Sequence, residues 1–184
     1  VDYLTREVVQ EGDHVWLERE DENPSVGEIS FLSLALGNLP ESDTRRSLKR
    51  SLTSTLWSCI ELPHGRIATH RHRDPSLEAF QDYSPGQVLL ALGTACENDP
   101  STIDETKLHR AFRYYRHRFR YKRHFGQVTW LMQAFAKWWQ VTRQSCFAEM
   151  TFEVADWLLT YQQEKTGAFI NDHQAETPGY TTAV

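Results

Sequence analysis

The hydrophobic pattern of this chain has a helical period in nearly every segment, and no stretch shows the sustained two-residue alternation of a half-buried strand. A first helix is predicted after Asn23-Pro24-Ser25-Val26-Gly27-Glu28, where Ser25 and Glu28 have capping-box spacing, and it runs through Leu36. A second covers 43–60, with Leu48, Leu52, Leu56 and Cys59 on one face and Arg45, Arg46, Lys49 and Arg50 elsewhere. Ser84-Pro85-Gly86-Gln87 offers a cap, a proline at the first helical position and a cap-box glutamine for a third. Ser101-Thr102-Ile103-Asp104 opens a fourth, whose apolar stripe is Leu108, Phe112, Tyr115 and Phe119, opposite Arg110, Arg113, Arg116 and His117. The segment 128–141 is apolar around most of its circumference, and the last helix, 145–162, is one-sided again through Phe147, Met150, Val154, Trp157 or Leu158, and Tyr161.

Helices apolar nearly all round therefore alternate with amphipathic ones. Burial on every side needs an inner layer, and one wet face needs an outer layer. Gly27, Gly86, Gly126 and Gly179 lead into the inner helices at intervals of 59, 40 and 53 residues, the spacing of α-hairpins with unequal loops. A second echo keeps the same register: Gly65-Arg66-Ile67 precedes SPGQ, and Gly167-Ala168-Phe169 precedes TPGY. The expected fold is all-α, a single domain over 1–184 with its repeated hairpins mainly in 25–184.

The segments HGRIATHRHRD with QDYSPGQVLLAL, FGQVTWLMQAFAKWW, EVADWLLTYQQEKTGAF and TPGYTTAV resemble the α/α-toroid superfamily, which includes six-hairpin glycosidases and sugar epimerases. The resemblance covers roughly 25–184 and rests on hairpin order, without a catalytic signature. It implies a partial α/α toroid, and six-hairpin rings close with twice as many helices as the six recognised here. The chain is accordingly expected to be a piece of a larger ring, or to self-associate, because an inner helix without neighbours exposes apolar surface.

In such a ring the loops leading into the inner helices gather at the mouth of a cavity. One of these loops carries His70, His72, Asp74, Asp82 and Tyr83, and another Asn171, Asp172, His173 and Glu176. Glycoside hydrolysis uses two carboxyl groups, so Asp82 and Asp172 are the candidate catalytic pair. His173 is a candidate general acid or base, and for epimerisation it would work with His70 or His72 across the sugar ring. Arg71 and Arg73 suit a carboxylate or phosphate through paired N–H donors. Tyr83, Trp130 and Tyr180 are candidate stacking or binding groups, with Gln87 and Gln133 as hydrogen-bonding partners. Glu28 and Gln87 also have capping explanations, and capping is the stronger assignment for Glu28. Loop aspartates and histidines often do no more than cap turns, a bland reading that stands beside the catalytic one.

Composition narrows the choice. With 40% hydrophobic and 24% charged residues the chain is no disordered polymer, and no apolar run reaches the roughly 20 residues of a membrane span. Twenty Lys and Arg against 25 Asp and Glu give a net charge of -5, but no acid lies between Glu105 and Glu149, where ten of the bases are. The run 109–124, arginine interleaved with tyrosine, is the feature for single-stranded nucleic-acid binding, although Phe112, Tyr115 and Phe119 are already claimed by a buried stripe. Cys59, Cys96 and Cys146 form no CxxC pair and read as small buried fillers in a reducing, cytoplasmic setting. HRHRD at 70–74 lacks a fixed third metal ligand, and no phosphate loop, dinucleotide fingerprint or serine elbow is present, so no metal or cofactor is called for. The expectation is a carbohydrate-processing protein, a glycoside hydrolase or sugar epimerase. A noncatalytic helical scaffold and a nucleic-acid-binding module stand as alternatives.

Overall fold

The computed structural model describes residues 7–17 and 23–169. Six α-helices dominate it: α1 (Val26–Gly37), α2 (Asp43–Ser58), α3 (Ser84–Asn98), α4 (Glu105–Tyr121), α5 (Phe125–Thr142) and α6 (Ser145–Leu159). Each forms where the apolar period predicts one. Ser25, Ser42, Asp104 and His124 accept backbone N–H groups in the first turns of α1, α2, α4 and α5, which satisfies donors that have no partner within the helix.

The third N-terminus departs from expectation. Ser84 lies inside α3 and is buried, Tyr83 stands at the cap position, and no side chain caps the helix. The preceding 3-10 turn, Pro75–Asp82, delivers the chain one residue earlier than the SPGQ pattern suggests. Gln87 is thereby released from capping. The other departure is a two-stranded antiparallel hairpin, β1 (Val8–Glu11) and β2 (His14–Leu17), joined through Gly12 at φ 58°. A two-residue turn of this kind wants positive φ, and Gly12-Asp13 supplies it. Val15, Trp16 and Leu17 are buried, and the Val15 N–H donates to Thr55 Oγ1 of α2 at 2.9 Å.

Burial separates the helices into two kinds. Helix α1 buries seven of its 12 residues, α3 nine of 15 and α5 eight of 18, whereas α2 buries five of 16, α4 five of 17 and α6 four of 15. Helix α3 packs between α1 and α5, so these three form the middle of the molecule. Trp138 of α5 is fully buried and its Nε1–H donates to Leu89 O of α3 at 2.9 Å. The approach is closest at Gly86, where a β-carbon would stand 2.8 Å from the Trp130 carbonyl carbon and 2.9 Å from Leu131 N.

The outer faces follow the predicted stripes. Leu108, Phe112, Tyr115 and Phe119 of α4 are all buried, as are Phe147, Met150, Val154 and Leu158 of α6. Phe112 meets Phe135 of α5 and Phe147 of α6 edge to face at 5.4 and 5.0 Å, a favourable aromatic arrangement.

Two tight turns repeat bond for bond. After α2, Glu61 N donates to Arg66 O at 2.8 Å and Gly65 N to Glu61 O at 2.7 Å. After α6, Gln163 N donates to Ala168 O and Gly167 N to Gln163 O, both at 2.8 Å. Gly65 and Gly167 have φ of 82° and 71°, a region that favours glycine, and each turn closes a β-bridge, Ile60 with Ile67 and Gln162 with Phe169. The repeated glycine triplets of the sequence are thus repeated turns.

Candidate functional site

Beyond the first of these turns the chain runs back beside the start of α1. Val26 N donates to Thr69 O and Arg71 N to Pro24 O, both at 2.9 Å, and Ser25 bridges His70. Asn23 closes the pairing through both ends of its amide: Nδ2 donates to His72 O at 2.6 Å, and Oδ1 accepts from His72 N at 2.8 Å. The loop is therefore fixed against the N-terminus of α1, with His70 buried.

Two buried polar nodes fix the next stretch. Tyr115 Oη accepts from Ile67 N and donates to Gln81 Oε1, each at 2.9 Å, while Gln81 Nε2 donates to Ile67 O at 2.8 Å. Burial pushes the Tyr115 phenol upward, so it stays protonated and can donate. Next along the chain, Asp82 Oδ1 accepts from Arg118 Nη2 at 2.8 Å and from Gln127 Nε2 at 2.7 Å. Burial alone would raise the Asp82 carboxyl, but the hydrogen bonds from Gln127 and Arg118 outweigh it and hold its pKa below the usual carboxylate value. Tyr115 and Arg118 come from α4, so α4 positions the loop that leads into α3.

Between the N-terminal parts of α1 and α3 this arrangement leaves a pocket of about 630 Å³. Glu28 and Phe31 line it from α1, Gln87 from α3, and His70, Phe80 and Tyr83 from the connecting loop. Glu28 and Phe31 share a helix face at three-residue spacing. Gln87 Oε1 lies 2.5 Å from where a side chain on Gly27 would begin, so Gln87 reaches across to α1. Phe31, 45% exposed, meets the ring of Trp130 edge to face at 5.4 Å, and His70 meets Phe80 in the same way at 4.9 Å. Burial pulls the His70 pKa down, against the opposing pull of Glu28 and Asp74, which leaves the imidazole neutral near pH 7.

Several sequence candidates therefore meet here: His70, Tyr83 and Gln87 on the wall, with Trp130 against Phe31 at its edge. Others are placed elsewhere. Asp82 is engaged with α4 and α5 and is not on the pocket wall. Arg71 is paired with Glu11 of β1, and Arg73 and His72 are exposed. Gln133 is exposed, its amide donating to Thr129 O of its own helix at 2.9 Å. Asp172, His173 and Tyr180, with Asn171 and Glu176, lie outside the described residues. Sequence reasoning passed over Phe31 and Phe80, and it gave Glu28 to capping. Ser25 caps the N–H of Gly27, at 3.2 Å.

A second groove, about 720 Å³, lies at the other ends of α1 and α3. Its cations are largely spent: Lys49 and Arg46 pair with Glu41 at 2.9 and 3.4 Å. Part of the basic face of α4 is similarly committed. Arg120 grips Glu153 with two hydrogen bonds of 2.6 and 2.7 Å, Arg116 lies 3.5 Å from the same carboxylate, and Arg118 holds Asp82. Among the described residues no group of three or more His, Cys, Asp or Glu could hold a metal ion, and no helix is long and apolar enough to cross a membrane. Cys59 and Cys96 are buried, and burial raises the Cys59 thiol to about 12, so it is protonated and unreactive. Comparison with protein-family models, with curated proteins and with solved structures gives no match for this chain.

Proposed function

We propose that this chain is part of an α/α ring, with α1, α3 and α5 as inner helices and α2, α4 and α6 as outer ones, and that it binds carbohydrate in the pocket at the N-terminal ends of α1 and α3. The observation that carries the reading is the composition of that wall. Phe31, Phe80 and Tyr83 offer ring faces suited to the apolar face of a pyranose, while Gln87, Glu28 and Asn23 bring hydrogen-bonding groups suited to its hydroxyls. Such a mixture of aromatic surface with a few convergent polar groups is usual for a small-molecule site. The alternation of helix burial and the paired glycine turns support the ring.

Glu28 is the carboxyl group that a carbohydrate-processing reaction would use in this pocket, since Asp82 is held ionised by an arginine and a glutamine. Glycoside hydrolysis needs a second carboxyl group, and the other sequence candidate, Asp172, lies outside the described residues. The test is titration with an oligosaccharide panel, followed by tryptophan fluorescence, on the wild type and on Phe31→Ala and Gln87→Ala. Each substitution is expected to weaken binding by about tenfold, the worth of one stacking or hydrogen-bonding contact. Binding unaffected by both substitutions contradicts this placement of the site.

A further inference from the structure

We infer that the outward ridge of α4 binds single-stranded nucleic acid, a function separate from the pocket between α1 and α3. Arg110, Arg113, His117 and Tyr121 follow one another at steps of three, four and four residues, so they share one face of the helix. That face is opposite the stripe of Leu108, Phe112, Tyr115 and Phe119 that anchors α4 in the core. On its flanks, Arg116, Arg118 and Arg120 meet carboxylates. Arg110, Arg113, Lys122 and Arg123 have no acidic partner among the described residues. Arg110 donates to the Pro63 carbonyl at 2.6 Å, and Arg123 lies 5.8 Å from the centre of the Phe119 ring, neutral contacts that leave both charges uncompensated. Glu105, the last acid before the ridge, pairs with His109. Like charges gathered in this way repel one another until a polyanion lies along them, so the local field favours one although the whole chain carries a net charge of -5.

Charge alone does not choose among polyanions, but the aromatic pair on the same ridge does. Tyr121 is 87% exposed, and its ring lies within 9° of parallel to that of His117, with centroids 6.5 Å apart. A tyrosine so placed contributes nothing to the core and keeps a ring face open to an unpaired base. Such stacking accepts any base, because every base has a flat π-face. A single strand can lay phosphates along Arg110 and Arg113 while one of its bases stacks on Tyr121. A duplex encloses its base faces and offers the ridge phosphates alone.

The experiment is fluorescence-anisotropy titration of the chain with labelled oligouridylate over a salt series at neutral pH. An RNA duplex of equal length, a heparin fragment of matched charge and phosphatidylserine vesicles serve as the competing polyanions. The wild type should bind the single strand about tenfold more tightly than any of these, and the affinity should fall as salt rises. Arg113→Gln should lower the slope of log affinity against log salt by about 0.7, the share of one phosphate contact on a single strand. Tyr121→Ala should weaken the single strand by about tenfold and leave that slope unchanged. Both side chains are exposed, so neither substitution disturbs the core, and the ranking in the wild type needs no variant. Duplex, heparin or vesicles bound as tightly as the single strand, Tyr121→Ala as tight as the wild type, or no binding of oligouridylate at low salt overturns the inference. None of the ridge residues lines the pocket, so each of these results leaves the carbohydrate reading in place.

Discussion

The carboxylate of Asp82 joins two helices: Arg118 of α4 and Gln127 of α5 both donate to Oδ1, and its side chain is only 9% exposed. Removing it leaves a largely buried guanidinium and amide without their acceptor, which should cost about 2 kcal/mol at neutral pH. Its folded pKa is depressed, so this stabilisation is complete above the unfolded value of about 3.9 and is lost as pH falls through the lower folded value. Urea unfolding of the wild type and Asp82→Ala should show a stability gap that narrows as pH drops below about 4. A gap independent of pH would mean that the charge of Asp82 contributes nothing. The residue was visible in the sequence as a polar group in a loop before an inner helix, but its partners were not. Arg118 and Gln127 lie 36 and 45 residues away, and only the packing of α4 and α5 brings them together.

Among the elements, α3 and α5 approach each other closely enough to leave no room for a side chain at Gly86. At Gly86 the backbone of α5 comes so near that a methyl group would meet main-chain atoms at Trp130 and Leu131, which cannot rotate away. Gly86→Ala should therefore destabilise by about 3 kcal/mol, the upper range for forcing an extra methylene into a packed core, despite the better intrinsic helix propensity of alanine. Thermal unfolding followed by circular dichroism would measure it, and an unchanged or raised midpoint would show that α3 and α5 do not pack this closely. Helix positions were largely legible because each apolar stripe is long and its period unambiguous: Leu108, Phe112, Tyr115 and Phe119 appear on the buried side as read. Boundaries were less so at α3, where Ser84 looked like a cap but lies inside the helix. The β1–β2 hairpin escaped notice because VVQE and HVWL alternate poorly, although Gly-Asp between them was a turn signal.

For the whole molecule, how much of each circumference is apolar anticipated which helices bury more of their residues, α1, α3 and α5 against α2, α4 and α6. The glycine echoes carried further information, since both triplets fold into the same hydrogen-bonded turn. The pocket wall was legible only in part. His70, Tyr83 and Gln87, singled out as candidates from their place in the loop before α3 or in its first turn, line it, whereas Phe31 and Phe80 carry no motif and become pocket walls only through tertiary packing. Glu28, whose spacing from Ser25 suits a capping box, also lines the cavity. The most direct test of the account is amide chemical-shift mapping of the isotope-labelled chain during titration with the oligosaccharide panel. Perturbations are predicted to concentrate at 25–31, 69–71 and 80–87. Shifts confined to the groove at the far ends of α1 and α3, or to the basic face of α4, would contradict it.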